Sequence, residues 1–274
     1  MSIVANMVNP FPISSDCFSK NSYMNAVLTV PAGTRQLYMN TDGWKQFSHI
    51  IEEGTESYAV YDDGTLTFYY DVQKDMRNGE TYGLEKMGVV LFQQWYDRAG
   101  SVTKVVFDKS FAEARPTATD RWFWGFTSLL EIEGIENLNT SDVTNMCGMF
   151  SNCSLTGLDL RHLNTDQATN MANMFEGCSS LKVLVLGHSF VSSQTFDTRG
   201  MFSDCNDVVF CVPVGTKVFY ESVGDWNASN LIVEMYDPNG DGILNESDVN
   251  EFVSCIMGRP SYYFNKVVAD LNAD

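Results

Sequence analysis

The segment that decides the fold occurs twice, as Val143-Thr-Asn-Met-Cys-Gly-Met-Phe-Ser-Asn-Cys-Ser-Leu155 and as Ala168-Thr-Asn-Met-Ala-Asn-Met-Phe-Glu-Gly-Cys-Ser-Ser-Leu181. Met149 and Cys153 recur as Met174 and Cys178, and a looser third copy, Met201-Phe-Ser-Asp-Cys205, follows at a slightly longer interval. Each full copy runs into a short alternating segment such as Leu181–Leu186, whose period of two predicts one β-strand. Because so short a unit cannot bury its own apolar face, the copies must stack on one another. The sequence therefore predicts an α/β solenoid, in which the repeats contribute strands to a parallel ladder.

The repeat also predicts which side chains share the interior of the stack. Met-Phe pairs recur at one point of each copy and are expected to form a layered core: Met149, Phe150, Met174, Phe175, Met201 and Phe202. A cysteine follows each pair, and we expect an interior column of Cys153, Cys178 and Cys205. A nucleophile or a metal cluster is the alternative, but the register with the repeat favours small, polarizable core residues. Polar residues are expected to hydrogen-bond the turns between layers: Thr144, Asn145, Thr169 and Asn170.

A second, longer repeat joins Val30-Pro-Ala-Gly-Thr34 to Val212-Pro-Val-Gly-Thr216, in a distant part of the chain. Each copy predicts a strand, a turn, a helix and a returning strand. Such a unit, placed after regular repeats, would cover the apolar end and the free strand edge of a stack. The second copy therefore predicts a C-terminal cap for the repeats at 121–234. The first copy predicts that residues 1–53 end an earlier leucine-rich block, so we expect the chain to be a fragment.

Residues 54–120 are predicted to be a strand-rich lead-in to the second block. Two alternating runs, Ser57–Tyr61 and Thr65–Tyr70, flank Asp62-Asp-Gly64 and predict a β-hairpin. Val102–Phe107 is predicted to be the first strand of the ladder. The aromatic cluster that follows has two interpretations, a carbohydrate platform or hydrophobic capping of the block, and capping is favoured: Trp122, Phe123, Trp124 and Phe126.

Composition limits the classes of partner. The chain is 44% hydrophobic and 13% aromatic, which predicts a folded protein, and its formal net charge is -18. That charge opposes binding to nucleic acid or to anionic lipid, and no apolar stretch is long enough to predict a transmembrane segment. Seven cysteines without a CxxC pair, together with three histidines, disfavour a zinc centre. The N-terminus does not resemble a signal peptide, which fits the expectation of a fragment.

The C-terminal segment, residues 235–274, carries a predicted calcium site. Asp237–Asp248 is a twelve-residue loop with oxygen-bearing side chains at positions 1, 3, 5, 9 and 12 and glycine at position 6. Ca²⁺ takes six to eight oxygen ligands, and the glycine permits the sharp turn that brings them together. Apolar residues at helical spacing follow the loop. The predicted ligands, with a backbone carbonyl from Ile243, are Asp237, Asn239, Asp241, Ile243, Asn245 and Asp248.

These patterns invite comparison with known families. The Val-Thr-Asn-Met…Met-Phe…Cys-Ser…Leu copies and the Val-Pro-x-Gly-Thr units resemble the BspA-like leucine-rich repeats of bacterial surface proteins. The loop at 237–248, with a second loop beginning at Asp270, resembles a truncated dockerin, in which Asp248 replaces the glutamate of an EF-hand. The dockerin resemblance implies further calcium ligands at Asp270, Asn272 and Asp274. It also implies contacts to a cohesin-like partner through Glu246 and Ser247.

The BspA-like resemblance implies a secreted or cell-surface protein that takes part in adhesion and protein recognition, without enzyme activity. We therefore expect the chain to bind a protein or glycan on a host or bacterial surface, with Ca²⁺ as its cofactor. An accessory part of a polysaccharide-degrading enzyme and a structural spacer are the alternatives. No GxSxG, HExxH, Walker or dinucleotide motif occurs, which disfavours an enzyme.

Overall fold

The computed structural model describes residues 1–84, 93–188, 190, 197–222 and 231–235. Within these ranges, the strands form three sheets of three, five and four strands. The predicted calcium loop and dockerin-like segment lie outside the described residues. No helix in the described part of the chain is long and apolar enough to cross a membrane.

The N-terminal residues form a small parallel sheet with two short helices. Its strands have the order β1-β2-β3 and pack a core cluster that includes Tyr23, Tyr38 and Trp44. Ser19 starts the first helix, because its side chain accepts a hydrogen bond from the Ser22 backbone N–H at 3.0 Å. The elements are β1 (Ser2–Val4), α1 (Lys20–Asn25), β2 (Val27–Val30), α2 (Arg35–Asn40) and β3 (His49–Glu52).

The middle sheet contains the predicted hairpin and then becomes parallel. Its strands are β4 (Glu56–Asp62), β5 (Thr65–Asp71), β6 (Glu80–Gly83), β7 (Lys104–Phe107) and β8 (Glu131–Glu133), in the order β6-β4-β5-β7-β8. β4 and β5 are antiparallel around Asp63 and Gly64, whose φ values of 41° and 80° make the tight turn, so the hairpin prediction is confirmed. β5 also pairs parallel with β7. The parallel run therefore begins one strand before the predicted one, because a strand's partner is not encoded in its own alternation.

The C-terminal sheet is parallel throughout. Its order is β12-β11-β10-β9, and Val183 in the second of the repeat strands pairs with Gly157 on one side and with Val209 on the other. A short helix between the last two strands gives the predicted strand-helix-strand path. The elements are β9 (Gly157–Leu160), β10 (Val183–Leu186), β11 (Val209–Pro213), α3 (Lys217–Ser222) and β12 (Leu231–Met235).

A second parallel ladder, outside the named strands, also joins the successive copies. It joins four stretches that we call the lateral segments: residues 118–126, 145–153, 170–178 and 197–205. Alternate backbone N–H groups of one segment donate to carbonyls of the next, for example Phe150 N to Met174 O and Phe175 N to Met201 O, both at 2.9 Å. The sequence copies predicted three of these segments. The structure adds the first, in which Trp122-Phe123 replaces Met-Phe.

The predicted layered core is confirmed. Phe150 stacks on Phe175, and Phe175 stacks on Phe202, each with a centroid distance of 5.4 Å and near-parallel rings. The methionines of the three copies are also buried. Truncation of one such phenylalanine to alanine typically costs about 3–5 kcal/mol. The stack is therefore a main source of stability.

The predicted cysteine column is also confirmed. Each thiol donates to the carbonyl of a phenylalanine in the preceding segment: Cys153 to Phe123 and Cys178 to Phe150, both at 3.0 Å, and Cys205 to Phe175 at 2.9 Å. Burial raises the pKa of the Cys153 thiol to about 12. The hydrogen bond with Cys178 lowers the pKa of Cys205, so the structural interpretation of the column rests on the burial of all three thiols and on their register with the repeat.

The predicted polar contacts of the turns occur as well. Asn145 and Asn170 each accept, through Oδ1, the backbone N–H two residues ahead, at 3.1 Å. The hydroxyl of Thr169 donates to Thr144 O in the neighbouring layer at 3.1 Å. These side chains fix the turn geometry of each copy in the way expected from their residue types.

Candidate functional site

The face of the C-terminal sheet that points away from the core carries buried side chains. Val183, Val185 and Cys211 alternate with the core residues along their strands, yet each is at most 1% exposed. Beside them, Asp159 accepts a paired hydrogen bond from the Arg161 guanidinium, at 3.0 and 2.9 Å. The sequence alternation predicts an exposed strand face, and the structure differs at β10 and β11. A binding surface is therefore more consistent with the lateral segments than with this face of the sheet.

Each lateral segment turns into the left-handed backbone region at two fixed positions. Glycine and asparagine adopt this conformation most readily, which explains their recurrence in the copies. The first position is Arg121, Gly148, Asn173 and Gly200, and the second is Gly125, Asn152, Gly177 and Asp204, with φ values from 53° to 75°.

A contact between neighbouring segments requires some of these glycines. Asn152 Oδ1 lies where a Cβ at Gly177 would be, and Asn173 Oδ1 lies in the same relation to Gly200. A side chain at either glycine would therefore displace the asparagine of the preceding segment. At Gly148 there is no such conflict, because a Cβ there would make only ordinary contacts, 3.5 Å from Arg121 Cγ and 3.8 Å from Trp124 Cδ1.

The space beside Gly148 belongs to a cavity of about 270 Å³. Three lateral segments contribute to its walls, so the cavity exists only when the copies are stacked. Its volume lies just below the range of roughly 300–1,000 Å³ usual for small-molecule sites. We call it the lateral cavity, and its lining residues are Arg121, Trp124, Cys147, Gly148, Ser151, Asn173 and Glu176.

Arg121 holds a conformation that its residue type disfavours. Its φ is 53°, and among the described residues it is the only one outside glycine, asparagine and aspartate with positive φ. The left-handed region costs an ordinary side chain about 1–2 kcal/mol. Its side chain is 39% exposed, and Nη1 lies 3.9 Å from Asp120 Oδ2, which is a long ion pair. Strain at a side chain that lines a cavity is a feature of binding sites.

Trp124 forms an aromatic wall of the cavity. Its indole is half-buried and packs beside Tyr96, with ring centroids 5.4 Å apart and planes inclined by 32°. Trp122, Phe123 and Phe126, by contrast, are at most 1% exposed. The aromatic cluster therefore contains both kinds of residue: Trp122, Phe123 and Phe126 belong to the core, and the half-buried Trp124 lines the lateral cavity.

The lateral cavity offers binding groups more than catalytic ones. Burial raises the pKa of Cys147, the half-buried thiol of the lining, which disfavours the reactive thiolate. Among the described lining residues, Glu176 is the one carboxylate, and there is no histidine. Aromatic, guanidinium, amide and carboxylate groups remain, and together they can recognise a polar ligand with an apolar face.

The site residues predicted from sequence are elsewhere in the chain. All lie outside the described residues, so the structure places none of them: Asp237, Asn239, Asp241, Ile243, Asn245, Glu246, Ser247, Asp248, Asp270, Asn272 and Asp274. In the described part, no group of three or more His, Cys, Asp or Glu residues could hold a metal ion. Sequence reasoning missed Arg121, Asn173 and Glu176. The available signal was the arginine at a position where the other copies carry glycine or asparagine.

Residues 117–237 match a family model described as a Mycoplasma protein of unknown function, DUF285. The match begins next to the first lateral segment and includes all four of them. Comparison with curated proteins and with solved structures finds no match.

Proposed function

We propose that this chain is part of a BspA-like leucine-rich-repeat protein of the bacterial cell surface, and that its α/β solenoid binds a protein or glycan. The DUF285 family is associated with BspA-like proteins, which supports the surface location. The successive copies are joined by parallel strands and by the lateral ladder, and this supports the solenoid. The units at 1–53 and 209–235 are proposed as caps of two successive repeat blocks.

The lateral cavity is the observation that carries the binding role. Its walls come from three copies of the repeat, so the scaffold itself creates a recess with aromatic and polar groups. A function as a spacer would not explain why a strained arginine lines this recess. An enzyme that hydrolyses glycosides by the usual route needs two carboxyl groups, and the described lining of the recess carries one. A binding role therefore fits better than either alternative.

The C-terminal segment is proposed as a calcium-dependent docking or anchoring module. Its support is the ligand spacing of Asp237–Asp248, which matches the oxygen coordination that Ca²⁺ prefers. In this proposal Glu246 and Ser247 contact a cohesin-like partner, and the residues from Asp270 onward begin the second loop. Binding energy from the ion would add to the stability of the segment.

An array screen tests the binding role of the repeats, and calorimetry tests the calcium site. The purified chain is applied to a neutral and acidic glycan array and to an array of extracellular proteins, with excess CaCl₂ or with chelator, at physiological ionic strength. We expect at least one partner that binds with or without calcium, through the repeats. Calorimetry with CaCl₂ should show binding that Asp241→Ala removes, while Asp142→Ala, which removes an exposed carboxylate outside the loop, leaves it intact.

The outcomes separate the three functions. Absence of any partner on both arrays would favour the spacer. Release of reducing sugar from a polysaccharide by the purified chain would favour an enzyme. If Asp241→Ala still gives a heat of calcium binding, the assignment of the metal ligands is wrong.

A further inference from the structure

We propose that the lateral cavity is a carbohydrate site that takes one neutral sugar unit. This rests on the proposed binding function and narrows it to a ligand class and a location. The described residues that carry the inference are Arg121, Trp124, Asn173 and Glu176.

The shape and the aromatic wall favour a sugar. A pyranose has an apolar face of C–H groups and a rim of hydroxyls, so it needs a flat apolar surface beside polar groups. Trp124 supplies the flat surface, and its contact with Tyr96 at 5.4 Å holds the indole in place. Gly148 keeps the space next to Trp124 Cδ1 open, because it has no side chain.

The polar groups suit hydroxyls. The Arg121 guanidinium and the Asn173 amide nitrogen can donate, and the Glu176 carboxylate can accept, so vicinal hydroxyls can be held in both senses. The Asn173 oxygen lies against Gly200, and Ser151 Oγ already accepts a hydrogen bond from Asn152 Nδ2 at 2.9 Å. The three remaining groups come from the first and third lateral segments.

The charge of the site favours a neutral ligand. Among the described residues, one guanidinium and one carboxylate line the cavity, and Asp120 lies next to the guanidinium at 3.9 Å. The whole chain carries a formal charge of -18, which repels anionic ligands at a distance. A sugar acid or a phosphate would therefore meet more repulsion than attraction.

The backbone of Arg121 supplies an independent argument. The equivalent positions carry Gly148, Asn173 and Gly200, which adopt the left-handed conformation more readily than arginine does. Backbone geometry therefore does not explain an arginine at position 121. A glycine at this position would fit the turn better. A residue that strains its own segment while lining a cavity is explained when the side chain serves a ligand.

The test is calorimetric titration of the full chain with four neutral oligosaccharides, chitotriose, cellotriose, mannotriose and lactose, and with the acidic comparator 3′-sialyllactose. We expect at least one neutral sugar to bind, and Arg121→Gly to weaken that binding at least tenfold without lowering the Tm. Trp124→Ala should weaken it similarly. Arg199→Gln is the matched control, because it removes one exposed positive charge from a lateral segment away from the cavity. It should leave the affinity unchanged.

Three results would overturn the site: no neutral sugar binds, Arg121→Gly binds like the wild type, or sialyllactose binds at least tenfold tighter than lactose. The proposed function fails differently. If the array partners bind equally to the wild type and to Arg121→Gly, the chain remains a binding protein and only this location is wrong. If no array yields a partner, the binding role itself is lost.

Discussion

The two Val-Pro-x-Gly-Thr units, at 27–52 and 209–235, have the same local structure and belong to different cores. In each, the threonine hydroxyl donates to the proline carbonyl, Thr34 to Pro31 at 2.6 Å and Thr216 to Pro213 at 2.5 Å. In each, a glutamate of the returning strand accepts the first helical N–H: Glu52 from Arg35 at 2.9 Å and Glu234 from Lys217 at 3.1 Å. Hydrogen bonds thus define the unit.

The apolar surroundings differ. The N-terminal unit belongs to a separate hydrophobic cluster, whose aromatic residues include Tyr23, Trp44 and Phe47. The C-terminal unit contributes Tyr220 and Ile232 to the large cluster that also contains the phenylalanine stack. The same hydrogen-bonded turn therefore occurs at the end of a short sheet and at the end of the repeats. Because each unit packs into a different hydrophobic cluster, we expect each to unfold together with its own cluster.

The largest expected effect tests this division of cores. Phe175→Ala should destabilise the stack by about 3–5 kcal/mol, because it removes a ring packed on both faces. Hydrogen exchange followed by mass spectrometry should then show lost protection in peptides of 209–222 and unchanged protection in 27–40. The reciprocal variant, Trp44→Ala, should have the opposite pattern. Equal loss in both units from either variant would show one cooperative core.

A smaller effect tests the shared glutamate. Glu234 accepts from the N–H groups of both Gly215 and Lys217, whereas Glu52 accepts one from Arg35. We expect Glu234→Ala to cost about 1–2 kcal/mol and Glu52→Ala about 1 kcal/mol, by analogy with lost helix caps. Urea unfolding measures both. Glu221→Ala, which removes an exposed carboxylate on α3, is the control and should cost about 0.3 kcal/mol. A larger loss at Glu52 than at Glu234 would contradict the hydrogen-bond account.

The smallest effect concerns the equivalent buried tyrosines. Tyr38 donates to Met7 O at 2.9 Å and Tyr220 to Gly187 O at 2.8 Å, so each change to phenylalanine should cost about 1 kcal/mol. Burial raises the pKa of both hydroxyls. Their stabilisation is complete below the unfolded pKa of about 10 and is lost as the pH rises above it.

Thermal unfolding at pH 9 and pH 11 measures this dependence. The wild type should lose Tm between the two values, and each Tyr→Phe variant should lose less. A wild-type Tm that is constant over this interval would exclude the contribution.

Much of the fold could be predicted from the sequence, because short-range patterns encode it. The regular spacing of the copies gave the Phe150 and Phe175 layers, and Asp63-Gly64 gave the hairpin. The first lateral segment was missed, because Trp122 stands where the other copies have methionine. The burial of Val183 and Val185 was missed too, because alternation alone does not show what covers the second face of a sheet.

The candidate cavity was beyond sequence reasoning for a related reason. Arg121, Gly148 and Asn173 belong to three different lateral segments and carry different side chains, so no local motif joins them. The predicted calcium loop is the opposite case. Its ligands are close in the sequence, and it remains a prediction from spacing.

The repeat length, the positions of the repeat strands, the turn residues and the equivalence of the two Val-Pro-x-Gly-Thr units follow from the sequence, since each is a pattern of nearby residues. The core that each unit joins, and the cavity beside Trp124 that three lateral segments line, follow from the tertiary structure. Those features depend on contacts between residues that are far apart in the sequence, which no local pattern records.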